Sequence, residues 1–536
     1  MASRSSSRPP STAEPASPPA ALPGGGWQLP ATSKTRALLA IVLVIATTGL
    51  AYELTLGALA SYYLGDTVTV FSLVVGGYLS ALGLGAYLSR FVGERLGVVF
   101  VDVQLSVALL GGLSVTAAMF CYAYTAFFPA LLCLLVIALG TLVGIELPLL
   151  LRLLEQRLSF RELVARALGV DYIGALLGSV GFSLLLLPRL GLVRTSLLLG
   201  ALDALSAFAS CLVLSSGDAT LQQALKRRRA GALLLLAALL VLLGFGGRIG
   251  DLADAASFRG RVVHTETSRF QRIVLTQVGE HFELYLNGHL QFSSHDERRY
   301  HELLVHPAMS AAKAPRRVFI GGGGDGLALR EVLGYAEVQQ VLLVDLDRQV
   351  TTLARREPLS GLNRGALDSP KVRVENQDAF SALRESDQTF DVAILDFPDP
   401  SSYTVGKLFS LELYRALQAR LAPDGVAVVQ ATSPLFARGS YWTIVRTLEA
   451  AGLSVLPYHG FVPSFGEWGF VLAAPRPLTP PVLRAPGPLT FVSPELLEKS
   501  FAFPPDMARV DAPINRLDNQ ALVSRYVEEW GRFDAW

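Results

Sequence analysis

Five aspartates recur at matching places in the second half of the chain, and theirs are the side chains best placed to do chemistry. Asp325 sits in the glycine turn of "VFIGGGGDGLALREV", Asp345 closes "VQQVLLVD", and Asp378 follows "VRVENQ"; Asp396 closes "DVAILD", with Asp399 just beyond it. A glycine turn after a strand is usually where backbone amides meet a phosphate, so an anion among the glycines disfavours a pyrophosphate. A Gly-x-x-x-x-Gly-Lys-Ser/Thr loop is also missing from the sequence, which argues against a nucleoside triphosphate. A single Asp at a strand end is most often a helix cap or turn former. Five in succession suit a nucleoside that carries positive charge. Asp345 suits a ribose diol, because one carboxylate can accept from two hydroxyls, and Asp378 is placed to accept from an adenine amino group.

"DFPDPSS" is the most specific stretch. Pro398 and Pro400 each restrict the preceding residue to extended conformations, which fixes Asp396 relative to Asp399. Two nearby carboxylates attract a cation, and one can take a proton during reaction. An alkylamine resembles Lys, with a pKa of about 10, so holding it neutral at pH 7 costs roughly 4 kcal/mol. A positioned carboxylate offsets part of that cost.

These residues need a scaffold. From Arg316 onward, short β-rich runs alternate with helical ones, which predicts a mostly parallel sheet with helices on both faces and a ligand edge at the carboxyl ends of its strands. Ahead of it, "SRFQRIVLTQVGEHFELYLNGHLQF" alternates with period two around Asn287-Gly288, predicting a small antiparallel sheet.

The first half is different in kind. Mean hydropathy over the chain is +0.42, and charged residues make up 17% of the 536. The apolar excess lies before residue 248, in about seven stretches long enough to cross a bilayer: 37–57, 68–89, 98–122, 128–150, 167–188, 193–214 and 230–246. Basic residues gather in alternate connections, with Arg189 and Arg194 as exceptions, so the positive-inside rule puts the N-terminus in the cytoplasm. Seven crossings then carry the second half outward unless one segment does not span, and both readings stay open. Glu53 and Asp203 fall inside predicted spans, where a cation path and an interhelical hydrogen bond are the competing readings. Asp102, Glu146 and Asp171 fall near span ends. Residues 1–32, rich in Ser and Pro, are expected to be a disordered tail. The net charge of +1 disfavours a nucleic-acid partner. The three cysteines lie in apolar runs and read as inert core thiols. His301 and His306, five apart, read as surface or pocket residues and not as a metal-ligand pair.

Residues 260 to about 475 resemble the polyamine aminopropyltransferases, the spermidine synthase family, in its membrane-embedded branch. The motifs are "FQRI", "QFSSHDERRYHE", "GGGDGLALRE", "VDLD" and "DFPDP", in the family's order. The resemblance implies transfer of an aminopropyl group from decarboxylated S-adenosylmethionine to an amine such as putrescine, with no metal. It implies Asp396 as general base and Asp399 as a contact to the amine. It places Gln271, Tyr300 and His301 around donor and amine, Asp325 on the donor's aminopropyl end, Asp345 on the ribose, and Asp378 with Ala379 at the adenine. An Asp in the glycine turn would repel the carboxylate of ordinary S-adenosylmethionine and attract the ammonium of the decarboxylated donor. Asp345 stands where the family has Glu, Ala379 where it has Gly, and Ser294 with His295 where it has Glu-Arg. The loop "SSYTVGK" lacks the family's Gly-Pro.

The expected organisation is a tail at 1–32, a multi-pass helical membrane domain at 33–248, and a linker with an antiparallel β subdomain at 249–300. A Rossmann-like domain of the S-adenosylmethionine-methyltransferase type follows at 301–475, then a C-terminal extension at 476–536 in which the sequence shows no chemistry. The expected partners are the amine, the decarboxylated donor and the lipid bilayer of the cell membrane, with the side of the catalytic domain and a homo-oligomeric state left open. Two other readings stand beside this one, an S-adenosylmethionine-dependent methyltransferase and a non-catalytic membrane polyamine sensor or transporter.

Overall fold

The computed structural model describes residues 33–64, 67–155, 159–214 and 219–533. The tail expected at 1–32 lies outside them. Helices come first: α1 (Ser33–Leu64), α2 (Thr67–Leu88), α3 (Leu96–Tyr124), α4 (Phe128–Glu155), α5 (Phe160–Gly181), α6 (Leu187–Leu214) and α7 (Ala219–Ser257). The seven expected apolar segments form six runs long and apolar enough to cross a membrane, because the fifth and sixth join in one run, Arg161–Leu214, of 54 residues. A π-helical turn at Phe182–Leu186 and a break at Gly191, whose φ of 71° and ψ of 176° are not helical, interrupt that run.

The outward faces of the bundle are apolar, and a few polar side chains are buried within its apolar core. Leu73, Tyr172, Leu184 and Leu234 are each about 70% exposed, whereas Thr48, Gln104 and Asp203 are buried. Asp203 on α6 accepts from Thr48 Oγ1 at 2.7 Å and Tyr52 Oη at 2.8 Å, both on α1, which is the interhelical hydrogen bond among the two expected readings. Asp102, at the start of α3, pairs with Arg228 of α7 at 2.6 Å. Glu146, expected near a span end, is instead buried inside α4 at 2% exposure. Close packing of α2 on α4 depends on Gly144, where a Cβ would overlap the Leu82 carbonyl.

The second half holds two sheets. The first is antiparallel, in the order β1 (Arg261–Thr267), β2 (Arg272–Val278), β3 (His281–Leu286), β4 (His289–Ser293). The β3–β4 turn is Asn287-Gly288 with φ of 50° and 83°, as the two left-handed positions of a tight hairpin require. Then follow α8 (Glu297–Ala311), β5 (Arg317–Gly322), α9 (Leu327–Leu333), β6 (Gln340–Val344), α10 (Arg348–Leu353), α11 (Leu359–Asn363), β7 (Val372–Glu375) and α12 (Ala379–Glu385). The chain continues through β8 (Phe390–Asp396), α13 (Tyr403–Gly406), α14 (Leu411–Arg420), β9 (Leu421–Gln430), α15 (Arg438–Ala450), β10 (Ser454–Val462), β11 (Gly466–Ala474), α16 (Pro494–Ser500) and α17 (Ala521–Phe533).

The second sheet runs β10-β11-β9-β8-β5-β6-β7, parallel from β9 to β7, with β11 and β10 antiparallel. Its strands are buried on both faces. Val318 and Ile320 of β5 join Val392 and Ile394 of β8 in one core layer, while Phe319 joins Ala393 and Leu395 in the other. That period of two lets helices cover each side. Strand order reverses at β5, which pairs with both β6 and β8, and a crevice opens at such a reversal beyond the strand ends.

Candidate active site

The glycine turn sits in that crevice with a carboxylate on each side. Its backbone lies so near Asp345 that a Cβ on Gly324 would come within 2.6 Å of the carboxyl, and the Gly324 N–H donates to Asp345 Oδ2 at 3.1 Å. On the other side Asp396, at the end of β8, lies in register with Gly322. Asp325 Oδ1 accepts from Leu327 N at 2.8 Å and so caps α9. The capping role and the ligand role expected for this residue are compatible, because each carboxylate oxygen has a second lone pair.

Helix α8 brings the next groups. Tyr300 Oη donates to Asp396 Oδ1 at 2.6 Å. His301 is 2% exposed and its Nδ1 lies 2.9 Å from Glu297 Oε2, one helical turn earlier. Glu297 in turn meets Arg330 of α9, with Nη1 and Nη2 at 3.0 and 2.9 Å from its two oxygens. Burial lowers the His301 pKa, but the Glu297 hydrogen bond, with the negative charges of Glu297, Asp325 and Asp396, raises it overall. The surrounding carboxylates therefore favour the charged form of this ring.

Burial also raises the carboxylates themselves. Asp396 is pushed up to about 6, with His301 and the Tyr300 hydrogen bond acting against the rise and Asp325 adding to it. Asp345 reaches about 6 through burial, against hydrogen bonds from the Asp347 and Gly324 amides. Asp325 is also raised by burial, with His301 opposing. Asp399 reaches about 6 through burial, opposed by hydrogen bonds from Gln430, Tyr526 and Thr432. Near neutrality Asp345, Asp396 and Asp399 can therefore gain or lose a proton at low cost, as a base needs.

Asp325, Asp345, Asp396, Tyr300 and His301 thus come together, and Asp399 lies within electrostatic range of Tyr300. Gln271, just before β2, donates to Asp347 Oδ2 at 3.1 Å, next to Asp345. Asp378 is engaged differently. It caps α12 through Phe380 N at 3.3 Å, next to Ala379, and its other oxygen pairs with Lys407 at 2.8 Å. Lys407 comes from the "SSYTVGK" loop, which folds into α13. Glu467, on β11, is paired with His459 at 2.5 Å. His306, read as a surface or pocket residue, is fully buried against Tyr335 Oη at 2.8 Å.

Four residues were missed from the sequence. Asp347 is 1% exposed and gathers Gln271 and Ser268. Glu297 sets His301, and its spacing of four before that histidine on one helix was a readable signal. Gln430 donates to Phe397 O at 2.7 Å and Asp399 Oδ1 at 3.1 Å, and so holds the "DFPDP" loop. Tyr526 donates to Asp399 Oδ2 at 2.8 Å across 127 positions of chain, a distance no local pattern reveals.

Residues 297–479 match the spermine/spermidine synthase domain. The polyamine aminopropyltransferase of Leptospira interrogans is 44% identical over 92% of this chain and 99% of its own length. Polyamine aminopropyltransferase 2 of Ralstonia nicotianae is 45% identical over 92% of this chain and 98% of its own. A crystal structure of spermidine synthase with the transition-state analogue AdoDATO aligns over 46% of this chain and 86% of that one, at 30% identity and a TM-score of 0.43. The two aminopropyltransferases match the helical half as well as the half with the sheets, and the chain belongs to the polyamine aminopropyltransferase family of transferases.

Proposed function

We propose that the chain moves the aminopropyl group of decarboxylated S-adenosylmethionine to an amine such as putrescine, giving spermidine and 5'-methylthioadenosine. The observation that carries this reading is the convergence of Asp396, Tyr300, His301 and Asp325 at the strand reversal. In the step itself the amine nitrogen attacks the aminopropyl carbon bonded to sulfur. The C–S bond breaks and its electron pair stays on sulfur, so a sulfonium becomes a neutral thioether. The new secondary ammonium then loses its proton to Asp396, whose pKa near 6 keeps it ionised at neutral pH while leaving it able to accept. Tyr300 holds Oδ1 of this carboxylate. Asp325 meets the donor's terminal ammonium, Asp345 with Gln271 and Asp347 forms the ribose side, and Asp378 with Ala379 and Lys407 lies at the adenine end. Cationic reactants meeting a negative pocket are brought together by charge, which lowers the cost of orienting them. Mass spectrometry of products from the purified chain, given the donor and a panel of amines, tests the reading. Thioether and an amine heavier by one aminopropyl unit are expected, and methylated products from ordinary S-adenosylmethionine would replace it with the methyltransferase alternative.

The bundle is read as spanning the bilayer, because its outward faces are apolar and its polar groups turn inward. Its two ends differ in charge. Arg152 reaches Ser89 O at 3.2 Å, and Arg228 pairs with Asp102, at the end that carries the basic connections. At the other end Tyr62 meets Arg272 of β2, 5.8 Å from ring to guanidinium, and Tyr63 packs on Tyr122 and Phe128. The positive-inside rule assigns the basic end to the cytoplasm and the sheets to the opposite face.

A further inference from the structure

The C-terminal helix α17 lies outside the matched domain, which ends at residue 479, and yet it reaches the site. It is firmly docked. Glu529 accepts from the Gly439 and Ser440 amides at 2.9 Å each, at the N-terminus of α15, where a helix favours negative charge. Asn515, fully buried, ties the preceding segment to the site loop through Gly406 O at 3.0 Å and Phe409 O at 3.1 Å.

From this base two side chains extend to the loop after β8. Tyr526 donates to Asp399 Oδ2 at 2.8 Å, and Trp530 Nε1 to Thr432 Oγ1 at 3.3 Å, while Thr432 itself touches Asp399. Their rings complete an aromatic row. Tyr300, which holds Asp396, packs on Phe465 at 6.0 Å; Phe465 meets Trp468 at 5.0 Å, Trp468 meets Trp530 at 6.4 Å, and Trp530 meets Tyr526 at 6.0 Å. The row therefore runs from one carboxylate of "DFPDP" to the other. Aromatic faces attract ammonium groups and cover methylene chains, which are the two chemical features of an alkyl polyamine.

We infer that α17 forms the far wall of the acceptor-amine subsite, with Tyr526 as a positioning residue for Asp399 and Trp530 setting the length of amine the subsite takes. This rests on the reading of Asp399 as an amine contact. Without the Tyr526 hydroxyl, Asp399 keeps Gln430 on Oδ1 and Thr432 on Oδ2 at 3.3 Å but loses the shorter of the two bonds to Oδ2. The amine should then bind more weakly, while the donor, held at Asp345 and Asp325, should not be affected.

The test uses the purified full chain and measures thioether formation while amine and donor are varied separately, for a diamine and for a longer triamine. Tyr526→Phe, which keeps the ring, is expected to raise the KM for the diamine about tenfold while changing the donor KM less than twofold. Trp530→Ala is expected to shift the ratio of kcat/KM for triamine over diamine upward by about tenfold. An unchanged donor KM in each variant reports that the site is still folded. Asp399→Asn separates the two layers of the argument. If it leaves the amine KM unchanged, the role of Asp399 fails and the inference fails with it. If it raises the amine KM while Tyr526→Phe and Trp530→Ala both behave as the parent, the wall formed by α17 is overturned and the role of Asp399 stands.

Discussion

Asp396 is held where a carboxylate can both stay ionised and accept a proton. Burial raises it to about 6, and Tyr300 and His301 keep it from rising further. Asp396→Asn is therefore expected to lower kcat by about 10²–10⁴-fold, with donor affinity retained, as read by turnover alongside direct donor binding. The acid limb of kcat/KM should fall near pH 6 in the parent. In Tyr300→Phe it should move to higher pH, because the lost hydrogen bond favoured the ionised form. Asp325 is the residue proposed to bear on the choice of donor. Asp325→Asn should narrow the affinity difference between decarboxylated and ordinary S-adenosylmethionine by about tenfold, since one charge is removed from a site that repels the latter's carboxylate. Equal ratios in parent and variant would refute the charge argument.

At the scale of elements, the strand ends are stabilised less by their own charges than by what surrounds them. Asp345, Asp396 and Asp399 all titrate above the usual carboxylate range in the fold. Each therefore contributes stability that is fully present below about pH 4 and lost as pH rises through about 6, on the order of 3 kcal/mol apiece at most. His301, also raised, acts in the same direction. Glu297 and Glu331 behave oppositely. Although burial opposes it, their cationic partners hold them at about 2, so their contribution is present above about pH 4.5 and lost as pH falls through about 2. Without substrates, thermal stability of the soluble part should therefore decline from pH 5 to pH 8, and Asp396→Asn should flatten the decline; calorimetry across that window checks both. The α8–α9 junction depends on the buried Glu297–Arg330 pair, each side chain 4% exposed. Glu297→Gln leaves Arg330 with Glu331 as its carboxylate partner and should cost about 1–3 kcal/mol, measured by denaturant unfolding, besides removing a charge that favours the protonated form of His301.

For the whole molecule, the decisive asymmetry is that the basic connections and the sheets lie at opposite ends of the bundle. Sealed, right-side-out vesicles treated with protease are expected to lose the soluble half while the connection around Arg90 and Arg95 stays protected. The reverse pattern would place the catalytic domain in the cytoplasm. The break at Gly191 matters to this outcome. A run of 54 residues is far longer than one bilayer crossing of about 20 residues, and the non-helical break at Gly191 divides it.

The sequence by itself determined the alternation of strands and helices, the antiparallel hairpin at Asn287-Gly288, the apolar spans and the aspartates at the strand ends. Each of these follows from a short-range rule: side-chain period, turn chemistry, span length, or position at the end of a strand. The tertiary structure alone decided how those aspartates are used. Asp378 is shared with Lys407, Asp345 binds the glycine turn, His301 is set by Glu297 and Arg330, and Asp399 is gripped by Tyr526 from the far end of the chain. Contacts between residues far apart in sequence leave no local period. They form only when sheet order and helix packing bring distant segments to one crevice, where burial then moves the pKa values that the chemistry needs.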